Sequence, residues 1–218
     1  MNEKLKLIRQ PVKTTSTAAS VRSSALILLF GTVLGLFSKW LDALAPNDDI
    51  WWQRIISRLD LNNVFSEFAI WLLLALIVSV YSYTPLKAAI NTFLFFGGMC
   101  VAYHVYTVVY CGFDPSDYMK IWYGITLISP LLAVICWYGK SSHPVSIAVD
   151  TVIFAVMACV CFSIMMISFG FKSLIDTVIF GCAILVIYRS PKQITISVIA
   201  GIVLAFPLSR FVNIVLPS

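Results

Sequence analysis

Residues 64–83 read VFSEFAIWLLLALIVSVYSY, twenty positions in which Glu67 is the one charge. Wound as an α-helix, twenty residues reach about 30 Å, the thickness of a bilayer's hydrocarbon core. Six more apolar runs lie around it, at about 24–44, 87–111, 119–139, 145–168, 173–188 and 194–215. YTPLK, GFDPSD, GKSSHP, GFK and RSPKQ separate the later ones, each carrying Gly, Pro or charge, the usual punctuation between elements. Residues 173–188 are short for a full crossing.

Composition agrees. The 218-residue chain is 60% hydrophobic and 11% charged, whereas a soluble domain carries about a quarter charged residues. Too little polar surface is available to clothe a water-soluble globule. The expected fold is all-α and polytopic: about seven transmembrane helices plus one interfacial amphipathic helix, forming a single transmembrane domain over 23–218 behind a basic tail, 1–22.

The first run could be mistaken for a signal peptide, since Ala43-Leu44-Ala45 has a small-x-small look. Its length suits a full crossing, and Pro46 would follow the cut, so it reads as a retained anchor. Within it Gly31 and Gly35 form a GxxxG, which permits close helix contact. After it comes PNDDIWWQRIISRLDLNN. Trp51, Trp52, Ile55, Ile56 and Leu59 fall on one side of a helix, and Gln53, Arg54, Ser57 and Arg58 on the other. That predicts an amphipathic helix near 48–60, capped by Asp48 or Asp49. Trp51, Trp52, Arg54 and Arg58 are its membrane-interface residues.

Charge placement orients the chain. Lys4, Lys6, Arg9, Lys13 and Arg22 precede the first run and would be held on the cytoplasmic side, against anionic lipid. A bilayer accounts for this basic tail without a nucleic-acid partner. With seven crossings, Lys87, Lys140, Arg189 and Lys192 join them inside, nine basic residues against six outside (Lys39, Arg54, Arg58, Lys120, Lys172 and Arg210). The expected location is a bacterial plasma membrane, with the N-terminus cytoplasmic and the C-terminus extracytoplasmic.

The six cysteines, Cys100, Cys111, Cys136, Cys159, Cys161 and Cys182, lie in or beside apolar runs and form no CxxC. They read as small packing residues, with no metal site or cofactor implied. Neither a phosphate loop nor HExxH nor GxSxG is present, so nothing supports an enzyme.

Five ionisable residues within the runs are candidate ligand-binding positions: Glu67, His104, Asp150, Asp176 and Arg210. Charge inside a membrane is expensive and marks function by default. Each has a plainer account. Ser173-Leu-Ile-Asp176 is a capping-box pattern, Glu67 would open a helix whose dipole favours an anion, and Arg210 follows Pro207 and can snorkel. Asp150 is the deepest. In a seven-span topology Glu67, His104, Asp176 and Arg210 share the outer half of the membrane and would form one outward-facing polar site. Pro130 and Pro207 free carbonyls that could line a cavity.

His104 and Cys111 resemble the His–Cys pair of membrane peptidases that process quorum-sensing propeptides, whose histidine follows a glycine pair as GG-x-H. Here Gly97 and Gly98 stand too far ahead of His104. On a continuous helix seven residues rise about 10 Å, whereas a base must come within roughly 3 Å of its thiol. VYTVVY has no Gly or Pro to break the helix. The alternative is a packing stripe of Gly97, Cys100, His104, Thr107 and Cys111, facing another helix.

From Gly97 to Lys192 the chain also resembles a group of uncharacterised multi-pass proteins of Gram-positive bacteria. The likeness is carried by CGFDPSDYMKIWYGITLISPLLAVICWYGK and YRSPKQ, including Gly112, Phe113, Pro115, Tyr118, Trp122, Pro130 and Pro191. It implies a bacterial plasma membrane and no activity. Three functions follow from the sequence: a small-molecule binding or transport component, an accessory or immunity subunit with a membrane protein partner, and a peptidase resting on His104 and Cys111. The first resembles the substrate-binding subunits of vitamin uptake systems in scale alone.

Overall fold

The computed structural model describes residues 8–11, 16–44, 49–141, 143–164 and 168–215. Nine α-helices and one β-hairpin are found among them. These are α1 (Thr17–Ala43), α2 (Trp51–Arg58), α3 (Leu61–Ser66), α4 (Phe68–Val80), α5 (Pro85–Tyr106), α6 (Ser116–Gly139), α7 (Pro144–Cys161), β1 (Phe162–Ile164), β2 (Phe169–Phe171), α8 (Leu174–Ile187) and α9 (Pro191–Val215). A π-helical turn, Thr107–Cys111, continues α5.

Five helices are long and apolar enough to cross a membrane: α1, α5 with its π turn, α6, α7 and α9. The chain is a helical membrane protein. The other two apolar helices, α4 and α8, have 13 and 14 residues and span about 20 Å each. The expected crossing at 64–83 is interrupted because Glu67 is extended (φ −87°, ψ 158°) and closes α3 just before α4 opens.

Three other expectations change. Residues 17–22, read as tail, are helical: Ser16 caps α1, its hydroxyl accepting from the Ala19 N–H at 3.3 Å. The run at 145–168 stops being helical at Cys161, where Phe162–Ile164 pairs antiparallel with Phe169–Phe171. Aromatic and branched side chains suit a strand, and Phe162 packs against both Phe169 and Phe171. The fold is therefore almost, but not wholly, α. Finally, α2 has Ile50 at its N-cap with no side-chain cap bond; Asp49 lies in the preceding turn, and Asp48 lies outside the described residues. Trp51, Ile55 and Leu59 are exposed at helical spacing, while Gln53 and Ile56 are buried.

The chain divides into two compact units, Met1–Thr14 with Phe68–Ala89 and Leu131–Ser218, and Thr15–Glu67 with Ile90–Pro130. Each contains a tight parallel helix pair. In the second unit α1 and α5 touch at Ser24–Asn91, where the Ser24 hydroxyl donates at 2.7 Å, then at Gly31–Phe95 and Gly35–Met99. A methyl on Gly31 or Gly35 would sit 2.2 or 2.4 Å from a facing carbonyl oxygen, so the GxxxG is what lets these backbones meet. In the first unit α7 and α9 run together through Ser197 to the Ile147 carbonyl and Cys159 to the Ala205 carbonyl. Gly201 lies against Phe154 and the Thr151 carbonyl.

Candidate functional site

At one end of the first unit, three helices finish and three begin. The beginning helices, α5, α7 and α9, open on Pro85, Pro144 and Pro191. Proline suits a first helical position, where its missing N–H is not needed. The finishing helices leave carbonyls without intrahelical donors, and cations answer them. Arg9 donates to the Val80 carbonyl of α4 at 2.9 Å and to the Trp137 carbonyl of α6 at 2.5 Å, with its guanidinium 4.3 Å from the Trp137 ring. Lys140 donates to the Val186 carbonyl of α8 at 2.7 Å and to the Tyr81 hydroxyl at 2.9 Å. Arg189 donates to the Lys140 carbonyl. Burial, with Arg189 nearby, pulls the Arg9 guanidinium down to about 10, so it is still charged near neutral pH.

Behind this capped end stands Asp150, 1% exposed, two turns into α7. Gly139 makes room for it: a methyl there would lie 2.6 Å from Asp150 Oδ1. Gln193, in the first turn of α9, bridges inward from the capped end. Its Nε2 donates to Ser146 Oγ at 2.6 Å and to the Ser141 carbonyl at 3.1 Å, and lies 3.4 Å from Asp150 Oδ2. An amide nitrogen has two protons. The two shorter bonds use both, and the carboxylate is left with the weakest share. Asp150 Oδ1 is buried with no hydrogen-bond partner at all. The other such side-chain atom among the described residues is Asn62 Oδ1, a neutral amide oxygen.

The N-terminal segment reaches this cluster. Ser141 Oγ donates to the Ile8 carbonyl at 2.5 Å, so Ile8, Ser141, Gln193 and Asp150 form one chain of polar contacts.

A second polar cluster lies at the far end of α1. Asp42 accepts from the Tyr103 hydroxyl at 2.8 Å and from Ser66 Oγ at 3.1 Å, with Lys39 Nζ 4.0 Å away. Lys39 itself sits over the rings of Tyr103 and Phe113, at 5.0 and 5.4 Å. Nearby, His104 Nδ1 is 2.7 Å from the Tyr123 hydroxyl, and its Nε2 is 3.8 Å from Asp114 Oδ1. Both nitrogens of His104 thus face partners other than Cys111. The helix between His104 and Cys111 is not a continuous α-helix, contrary to expectation: it widens at Thr107, whose hydroxyl turns back to the Tyr103 carbonyl at 2.8 Å. Cys100, on the same stripe, meets Thr126 of α6 at 3.4 Å.

The five sequence candidates are divided between the two units. Glu67 and His104 belong to one unit, and Asp150, Asp176 and Arg210 to the other. Asp176 closes its own helix start, with Ser173 Oγ accepting from its N–H at 3.0 Å and donating to its carboxylate at 2.7 Å. Arg210 is exposed on α9. The carbonyl freed by Pro130, that of Thr126, is taken by Ser129 Oγ at 2.9 Å, so it lines nothing. Comparison with protein families, with curated proteins and with solved structures gave no match to this chain.

Proposed function

We propose that the chain is a small-molecule binding or transport component of a bacterial plasma membrane, and that the Asp150 cluster is its working site. One observation carries the reading. Asp150 is buried in a membrane-spanning helix, and its carboxylate has one oxygen with no donor. The other oxygen has only the third claim on an amide. Such a group is costly in a bilayer, and it typically marks an ion or substrate pathway.

In this reading the short helices α4 and α8, packed together, also cross, giving seven passes with the N-terminus cytoplasmic. The exposed Trp51, Ile55 and Leu59 lie in the lipid headgroup zone. The test is native mass spectrometry of the full chain from its own membranes in gentle detergent. A small molecule retained at fixed stoichiometry, and lost in Asp150→Asn but kept in Asp42→Asn, is the expected result. A stoichiometric protein partner with no small molecule would replace this reading with an accessory subunit.

A further inference from the structure

We infer that Asp150 is a proton-binding site, and that the ion coupled to the working cycle is H⁺. This rests on the reading of the Asp150 cluster as the working site, and names the ion that site takes.

Space is the first argument. Oδ1 lies against Gly139, close enough that a single added methyl would sit 2.6 Å from it, and it is buried. A metal cation needs several oxygens at about 2.0–2.6 Å around it. The neighbouring oxygens, the Ser141 carbonyl and Ser146 Oγ, are each already turned to Gln193. Among the described residues no cluster of three or more His, Cys, Asp or Glu side chains is placed to hold a metal. A proton needs no shell of ligands and no cavity.

Charge is the second. Asp150 forms no ion pair among the described residues. Gln193 is the polar side chain that reaches it. The elements at this end also carry Cys136 in α6 and Lys140 just after it, His143 before α7 with its Nδ1 accepting from the Val145 N–H, Arg189 after α8, Lys192 in α9 and Tyr81 after α4. The N-terminal segment brings Arg9. Arg9, Lys140 and Arg189 each donate to backbone carbonyls and none of them pairs with Asp150. Two turns into α7, Asp150 is also beyond the first-turn reach of the helix dipole. A bare carboxylate in such a place is strongly disfavoured against the neutral acid.

The step is a proton transfer. A hydronium at the water-facing end gives its proton to a carboxylate oxygen, forming one O–H bond and leaving water. In this enclosed arrangement Asp150 is the neutral acid. The reverse transfer, from the carboxyl to a water molecule, breaks that O–H bond and restores carboxylate and hydronium.

Infrared difference spectroscopy of the full chain in lipid nanodiscs, near pH 7, tests this directly. The expected result is the carbonyl stretch of a dry, protonated carboxyl in the wild type, lost completely in Asp150→Asn. Should that variant fail to fold, the wild type labelled with carboxyl-¹³C aspartate answers instead: the acid band must shift with the label. Absence of an acid band, or one unmoved by either change, overturns the proposal. Its fate is separable from that of the reading above. An acid band in a chain that retains no small molecule leaves the proton site and removes the transport role. A retained small molecule without the band does the reverse.

Discussion

Asp150 and Asp42 are both carboxylates on membrane-spanning helices, yet the protein treats them oppositely. Asp42 is met by the Tyr103 hydroxyl and by Lys39, with Ser66 Oγ shared between it and the nearer Asn62 carbonyl, and its side chain keeps 22% of its exposure. Asp150 is almost wholly enclosed and is offered only what Gln193 has left over. The first is a solvated anion whose water has been replaced by protein donors. The second has lost its water without replacement, and protonation is the remaining way to remove the charge. What separates a structural carboxylate from a working one here is the count of donors, not depth alone.

The largest effect should come from crowding Asp150. Gly139→Ala puts a methyl 2.6 Å from Oδ1, with Val149 and Ile153 next at 3.3 and 3.4 Å. Overpacking of this kind costs about 1–3 kcal/mol, and the upper half of that range is expected. Combined with Asp150→Ala, most of the loss should return, because the remaining contacts are nearly ordinary. Thermal unfolding of the four chains of this cycle in detergent gives the coupling, expected to exceed about 1 kcal/mol. Simple additivity would mean the glycine is not there for the carboxyl.

Next in size is the contrast itself. Asp42→Asn should cost about 2 kcal/mol, because Tyr103 loses a charged acceptor and Lys39 its counter-ion. Asp150→Asn should cost less, under about 1 kcal/mol, since the amide matches the neutral acid in shape and removes no ion pair. Equal losses at the two positions would dissolve the comparison.

Smaller again is Arg9→Ala, expected to cost about 1 kcal/mol through two charge-assisted bonds and a ring contact on a half-buried side chain. A cysteine placed at Gln10 should then react faster with a water-soluble maleimide, as the segment carrying Ile8 comes away from Ser141. No change in that rate would show the segment to be held by something other than Arg9.

Much of this architecture was legible in residues that obey one-dimensional rules. Long apolar runs marked α1, α5, α6, α7 and α9, the spacing of Gly31 and Gly35 anticipated a close crossing, and Ser173 with Asp176 was readable as a capping box. Asp150 could be singled out because a charge two turns inside an apolar run needs no partner to be conspicuous. Its surroundings could not be read. Gln193 and Gly139 belong to other helices, and nothing in SPKQ or WYGK says which carboxylate they approach. Arg9 looked like one more basic residue of a tail, because capping a distant carbonyl leaves no local pattern. The hairpin after Cys161 was hidden in a run whose hydrophobicity suits helix and strand alike. For His104 the sequence already spoke against a pair with Cys111, but it could not name the partners the histidine faces, Tyr123 and Asp114.

The smallest effect belongs to a third carboxylate, Asp114, which is open to solvent ahead of α6. The Ser116 hydroxyl donates to it at 2.6 Å and the Ser116 N–H at 2.9 Å. Those bonds, the hydroxyl's foremost, hold its carboxyl below the usual carboxylate range, with a lesser contribution from His104. An acid whose folded value is depressed stabilises the fold above its unfolded value and loses that contribution as pH falls through the folded one. The start of α6 should therefore be insensitive to pH near neutrality and loosen only in acid, below the ordinary titration of aspartate. Ser116→Ala removes the stronger bond and keeps the backbone one, so the acid limb should move part of the way up in pH. Melting temperature recorded against pH for the two proteins reads this shift. Superimposable acid limbs would mean that the turn before α6 is held by something other than the Asp114–Ser116 contact. In that case water, which Asp114 keeps and Asp150 lacks, would suffice to solvate the charge.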